Sequence, residues 1–223
     1  KKNAGKALTP KPRQNNAAAD TILQAIGPVL RGLYREHTGA DWLVHHRASD
    51  AALQFASSAE CAEWSQIGTA TPDHVIRTKQ KPLLLDPKNL DDSEALWQEI
   101  SGAIDGFIQS YHDYFNRNKA SKGVDKTELD PLPRVLLVAG LGLITIGKSQ
   151  KETRISADLY EHTLEIIQDS FAVGAYQPLG DDDLFDMEYW SLEQAKLGKS
   201  QPKKLQGKIV AVSGAASGIG LAS

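Results

Sequence analysis

The chain has 223 residues, room for one domain of ordinary size plus tails. Its 25 Lys and Arg are set against 28 Asp and Glu, and 41% of residues are hydrophobic, so it reads as globular and slightly acidic, with no general affinity for nucleic acid or an anionic membrane. One cysteine, Cys61, excludes an internal disulfide and suits a reducing cytoplasm, and no apolar run reaches the roughly 18 residues of a membrane span.

Residues 1–19 are basic, small and polar, with Pro10 and Pro12, and read as a linker. A helix is predicted from Asp20, its N-cap. Ile22, Leu23, Ile26, Val29, Leu30 and Leu33 share one face, and Pro28 should kink it. A short strand is predicted over 42–45 and a helix over 50–55. Ser57 with Glu60 has the spacing of a capping box for a second short helix carrying Trp64 and Ile67. Thr71-Pro72-Asp73 is turn chemistry, and Pro82 should interrupt any strand nearby.

The next helix is the clearest. Asp91 and Glu94 box its start, and Trp97, Ile100, Ile104, Phe107, Tyr111 and Tyr114 recur at three and four residues until Asn116. A polar, mobile loop is expected over 117–133. Strands are predicted at 135–138 and 143–146, punctuated by Gly140, Gly142 and Gly147. Ser149 and Glu152 box a long helix with Ile155, Leu159, Ile166, Ile167 and Phe171 on its apolar face and Gly174 as its stop. An acidic run, Asp181 to Asp183, precedes an amphipathic docking segment over 185–197. Residues 199–206 read as a second linker. The last stretch, 207–223, reads as a buried parallel strand at 209–212, a glycine-rich turn and a helix start that would carry a dinucleotide pyrophosphate. Met187 is the only methionine, so Lys1 is not a translation start and the chain is expected to be part of a longer protein.

"LQGKIVAVSGAASGIG" resembles the entry to the short-chain dehydrogenase/reductase family, with Ser213 where threonine is commoner. The resemblance implies that Ser213, Gly214, Ser217, Gly218, Ile219 and Gly220 contact NAD or NADP, and that the catalytic group lies beyond Ser223. "GTATPDHVIRTKQKPLLLD", "RVLLVAGLGLITIGKS" and "DLFDMEYWSLEQAKLGK" resemble the interdomain region of bacterial rhamnulose-1-phosphate aldolase/alcohol dehydrogenase fusions. That resemblance implies a cytoplasmic, homo-oligomeric parent of deoxysugar breakdown. Its zinc-dependent aldolase half would act on a sugar phosphate, and its NAD(P)-dependent dehydrogenase half on an aldehyde.

"LVHHRASDAALQFA" and "VLLVAGLGLITIG" resemble the two segments that supply three metal-binding histidines in class II aldolases. By that matching His45 is kept, while Arg47 and Leu141 stand at the other two ligand positions. The expected architecture is α/β. Residues 20–198 would form a degenerate class II aldolase/adducin-like connecting domain, followed by the truncated start of a Rossmann domain. No cofactor or metal is expected in this piece, and its expected role is non-catalytic connection and oligomerisation.

Two rival functions come from other classes. An active metal-dependent lyase would use His45, His74 and an acidic partner, but adjacent His45 and His46 point to opposite faces of a strand and Arg47 repels a cation. A sugar-phosphate module would use Arg77 and Lys79, which share one face if 74–79 is extended; the plainer alternative is an edge strand with solvated charges. Gly140-Leu141-Gly142 lacks the lysine and serine of a phosphate loop, and the acidic run lacks calcium-loop spacing.

Overall fold

The computed structural model describes residues 5–11, 17–197 and 204–222. A four-stranded mixed sheet forms the centre, from β1 (Leu43–Arg47), β2 (Leu83–Leu85), β3 (Val135–Val138) and β4 (Gly142–Gly147) in the order β1-β4-β3-β2. β4 is antiparallel to both neighbours, and β2 runs parallel to β3. The β3–β4 hairpin turns through Gly140 and Gly142, both at positive φ, where a side chain would strain the backbone.

Side chains alternate across the sheet and build two core layers. Leu83, Leu85, Leu136, Val138, Ile144 and Ile146 pack against α1 (Ala19–Thr38) and α5 (Ser93–Lys122). Val135, Leu137 and Leu143 face α2 (Asp50–Ala56), α3 (Cys61–Trp64) and α6 (Gln150–Val173). This is a three-layer α/β/α arrangement, buried on both faces, which explains why β3 and β4 read as unbroken apolar runs. A smaller cluster joins α7 (Asp181–Glu188) to the C-terminal half of α5 through Tyr111, Tyr114, Phe115, Phe185 and Tyr189.

Several expectations are corrected. α1 begins at Ala19 with no side-chain cap, and it continues through Pro28, whose exposed ring costs a hydrogen bond without ending the helix. Ser57 caps nothing; its hydroxyl accepts from Gly140 N–H, and Glu60 accepts from Thr9 N–H, so residues 5–11 dock along the α2–α3 corner. α5 is capped by Asp92, which accepts from Glu94 and Ala95 N–H, and runs to Lys122, six residues past the expected stop at Asn116, where Gly123 closes it in the left-handed conformation. α6 does start at Ser149, but Ile155, Leu159 and Ile166 are only half-buried, whereas Tyr160, Leu164, Ile167 and Phe171 line the core.

Residues 74–79 are not extended. A 3-10 turn at Pro72–His74 leads into α4 (Val75–Thr78). The strand expected at 209–212 is absent too. Ile209, Val210 and Val212 are 75%, 63% and 45% exposed, with no neighbouring strand to bury them. Two short helices, α8 (Ser191–Ala195) and α9 (Gly218–Ala222), complete the described elements. No described helix is long and apolar enough to cross a membrane.

Candidate functional site

The cross-strand register sets the histidine-bearing strand. His45 lies opposite Thr145, His46 opposite Ile144 and Arg47 opposite Leu143. Thr145 Oγ1 donates to the Thr153 carbonyl of α6, so His45 and Arg47 face that layer and His46 faces away. Arg47 Nη1 sits 2.6 Å from Asp158 and 2.9 Å from Glu161 on α6. His46 Nε2 lies 2.8 Å from the Leu141 carbonyl, and the Leu141 side chain packs in the opposite layer, against α1 and α5. The three positions matched to aldolase metal ligands therefore hold an imidazole, a paired guanidinium and an apolar side chain turned the other way.

His45 Nε2 is buried without a hydrogen-bond partner, and burial, reinforced by Arg47, holds the ring below its ordinary pKa. His74 is also depressed by burial, but its charged neighbours are Asp73 and His162, none of which surrounds His45. The structure does not bring His45 and His74 together. Among the described residues no three His, Cys, Asp or Glu side chains form a group that could hold a metal ion. The donors present do not fit the family's three-histidine zinc.

Arg77 and Lys79 part company because α4 replaces the expected strand. Both still line one cavity of about 310 Å³, beside Arg134, Lys148, Trp42 and Ser156. Arg134 and Lys148 both approach the Trp42 ring, at 4.7 and 5.1 Å from its centroid. Asp130 and Glu152 also line this cavity, so four cations are opposed by two carboxylates. Asp130 is engaged by Arg134 at 3.2 Å, and Glu152 accepts from Lys148 N–H. Arg77 Nη2 donates to the Lys196 carbonyl at 2.6 Å. The Lys79 ammonium is directed instead at an aromatic ring and a buried carboxylate.

That arrangement is the most unusual feature of the molecule. The Lys79 side chain is 6% exposed; Nζ lies 3.8 Å over the Tyr111 ring and 3.6 Å from Oε1 of fully buried Glu188. Tyr111 donates its hydroxyl proton to Glu188 at 2.7 Å, and Tyr189 bonds Tyr111 at 2.9 Å. Burial pushes the Lys79 ammonium down to about 8, against the pull of Glu188, and pushes the Glu188 carboxyl up. Sequence reading missed this group, since Tyr111 and Tyr114 look like core positions of a helix and Glu188 lies 77 residues from Tyr111. Cys61, by contrast, is buried with its thiol pushed up to about 11, which makes it a poor nucleophile.

The predicted cofactor turn is present as a turn. Gly214 and Gly218 adopt positive φ and α9 starts at Gly218, but Ser213, Ser217 and Ile219 stand exposed, with no sheet beside them. Upstream, Arg31 donates to the Gly207 carbonyl and Lys208 pairs with Asp41, fastening this segment to the α1–β1 corner. Gly207 is needed there: its φ is 74°, and a Cβ would meet the Asp41 carbonyl oxygen at 2.1 Å.

A mixed sheet between two helical layers, with a histidine-bearing strand beside a glycine-punctuated hairpin, defines an α/β domain of aldolase type. The chain belongs to the family described as "Aldolase class II, second domain", which it matches over residues 21–197. It is also 31% identical over 222 residues to a protein of Bacillus subtilis (strain 168) named "Uncharacterized oxidoreductase YuxG". That match covers 98% of this chain but only 31% of the relative, so the chain spans about a third of its length. No solved structure matches it.

Proposed function

We propose that this chain is the connecting domain of a bifunctional enzyme of deoxysugar breakdown, set between a ketose-1-phosphate aldolase and an NAD(P)-dependent short-chain dehydrogenase. It keeps the aldolase framework without histidine-metal chemistry, and it organises the flanking enzymes in a cytoplasmic homo-oligomer. One observation carries this reading: Arg47, at a matched ligand position, is clamped by Asp158 and Glu161, with Leu141 turned into the other core layer. The family match and the longer, oxidoreductase-named relative support the two-enzyme context. In this reading the turn from Ser213 to Gly220 would receive the pyrophosphate of a nicotinamide cofactor, which supplies hydride transfer once the rest of that domain surrounds it. Zinc belongs to the flanking aldolase. Elemental analysis after zinc loading and dialysis tests the reading. Far less than one zinc per chain is expected, whereas about one per chain, lost in His45→Ala, would show that a working ligand set survives.

A second reading, a sugar-phosphate-binding role, is favoured by the 310 Å³ cavity. Arg77, Arg134 and Lys148 are its usable cations, and Ser156 adds a hydroxyl. Charge-assisted contacts contribute roughly 1.5–3 kcal/mol each. Arg77→Ala should therefore weaken a ketose 1-phosphate about tenfold or more in a calorimetric titration. Equal affinities for both proteins would assign the cations to structure.

A further inference from the structure

Lys79 carries a conformation that a packing role does not need. Its φ of 64° and ψ of 172° fall in a region left almost wholly to glycine, at a cost of roughly 1–3 kcal/mol. Among the described residues it is the one non-glycine residue at positive φ. Lys79 lines two cavities, the 310 Å³ one described above and a larger one of about 630 Å³ that Tyr111, the ring beneath its ammonium, also lines. Tyr111, Tyr114, Gln80 and Ser110 also line the larger cavity, a surface suited to a small hydroxylated molecule. The polar group behind Lys79 is incompletely satisfied: Glu188 Oε2 and the Tyr114 hydroxyl are both buried without a hydrogen-bond partner.

We propose that Lys79 is an amine nucleophile that captures small aldehydes or ketones entering the 630 Å³ cavity as an imine, with Glu188 as its proton acceptor. This chemistry is separate from metal-assisted aldol cleavage and goes beyond a connecting role. The ammonium first passes a proton to the Glu188 carboxylate. Burial works against both charges, which eases this transfer. The nitrogen lone pair then adds to the carbonyl carbon, and the carbonyl oxygen takes a proton to become a hydroxyl. Loss of the remaining N–H proton and departure of the hydroxyl as water leave C=N. Amine and carbonyl thus give imine and water, with no oxidant or reductant required. Each element around Nζ adds to the balance: Tyr111 and Tyr114 from α5, Glu188 and Tyr189 from the end of α7, and Asp130 with Arg134 from the loop before β3. The two carboxylates and the Tyr111 ring favour the ammonium; Arg134 and burial favour the amine.

The test uses the intact chain with glycolaldehyde and sodium cyanoborohydride, which reduces an imine to a stable secondary amine read by peptide mass spectrometry. Lys79 should carry the main adduct, ahead of exposed Lys151, with labelling that rises through a midpoint near 8. Glu188→Gln should slow Lys79 labelling about tenfold or more, while leaving Lys151 unchanged. Labelling of Lys79 no faster than Lys151 between about pH 7 and pH 9 would overturn the proposal. It needs no variant, so a folding defect cannot hide the answer. Unchanged labelling in Glu188→Gln would remove Glu188 from the mechanism.

Discussion

Lys79 and Glu188 show how strongly two buried charges depend on each other. Removing one partner leaves the other desolvated and unpaired, which costs about 3–5 kcal/mol, whereas replacing both with apolar residues often costs little. Lys79→Met should therefore lower the urea midpoint sharply, and the Lys79→Met/Glu188→Leu double variant should regain most of it. A double variant no more stable than the single would mean the two charges are solvated independently. His45 and His74 predict acid sensitivity. Both are held below the ordinary imidazole pKa by burial. On acidification the unfolded chain takes up these protons first, so stability is present above about pH 6.5 and falls as pH drops below it. Urea midpoints at about pH 7.5 and pH 5.5 should differ, and His45→Gln should reduce the difference. At this scale the matching of His45, Arg47 and Leu141 was visible in the sequence. That Arg47 would find Asp158 and Glu161 was not, because those carboxylates arrive from a helix placed by packing across the sheet.

At the scale of single elements, local chemistry marked the starts of α2, α5 and α6, which carry side-chain caps, while tertiary packing decided which faces the helices bury. Ser149 before α6 was legible because a side-chain cap acts within three residues, whereas α5 is capped by Asp92, one residue past the expected Asp91. Asp92→Ala should cost about 1 kcal/mol and lower the melting temperature, a cost that Asp92→Ser should largely avoid. α5 outlasts its apolar pattern because the cluster with α7 holds its C-terminal half, and Lys119 and Lys122 in its last turn complement the helix dipole. α1 survives Pro28 for a similar reason: Ile26, Val29 and Leu30 are buried on both sides of it, and the ring points to solvent. Pro28→Ala should restore the missing hydrogen bond and raise stability by up to about 3 kcal/mol. Residues 74–79 went the other way. Their alternation suited a strand, but no sheet edge is offered there, and Val75 with Ile76 instead packs against Leu184 of α7.

For the whole molecule, the buried titratable groups predict an unusual alkaline profile. The folded chain releases the Lys79 proton near pH 8, well below the 10.5 of an unfolded lysine, so stability rises with pH above about 8. Cys61 and the buried tyrosines oppose this at higher pH, because their raised folded pKa values let the unfolded chain ionise first. Guanidinium midpoints should increase from about pH 8 to pH 9 and decline above about pH 10, and Lys79→Met should abolish the early increase. The sequence by itself determined the α/β class, both apolar strands of the central hairpin, the two long helices and the glycine-rich turn, because each depends on periodicity or on residues within one turn of each other. It also carried the aldolase kinship, in short motifs around His45 and Gly142. The tertiary structure alone decided that 209–212 lies exposed, since an apolar run becomes a strand only where another strand meets its hydrogen bonds. Only the packing of α7 on α5 brought Glu188 beneath Lys79. A buried charge pair depends on distance through space and on the loss of water around it, and neither is written in the spacing of residues along the chain.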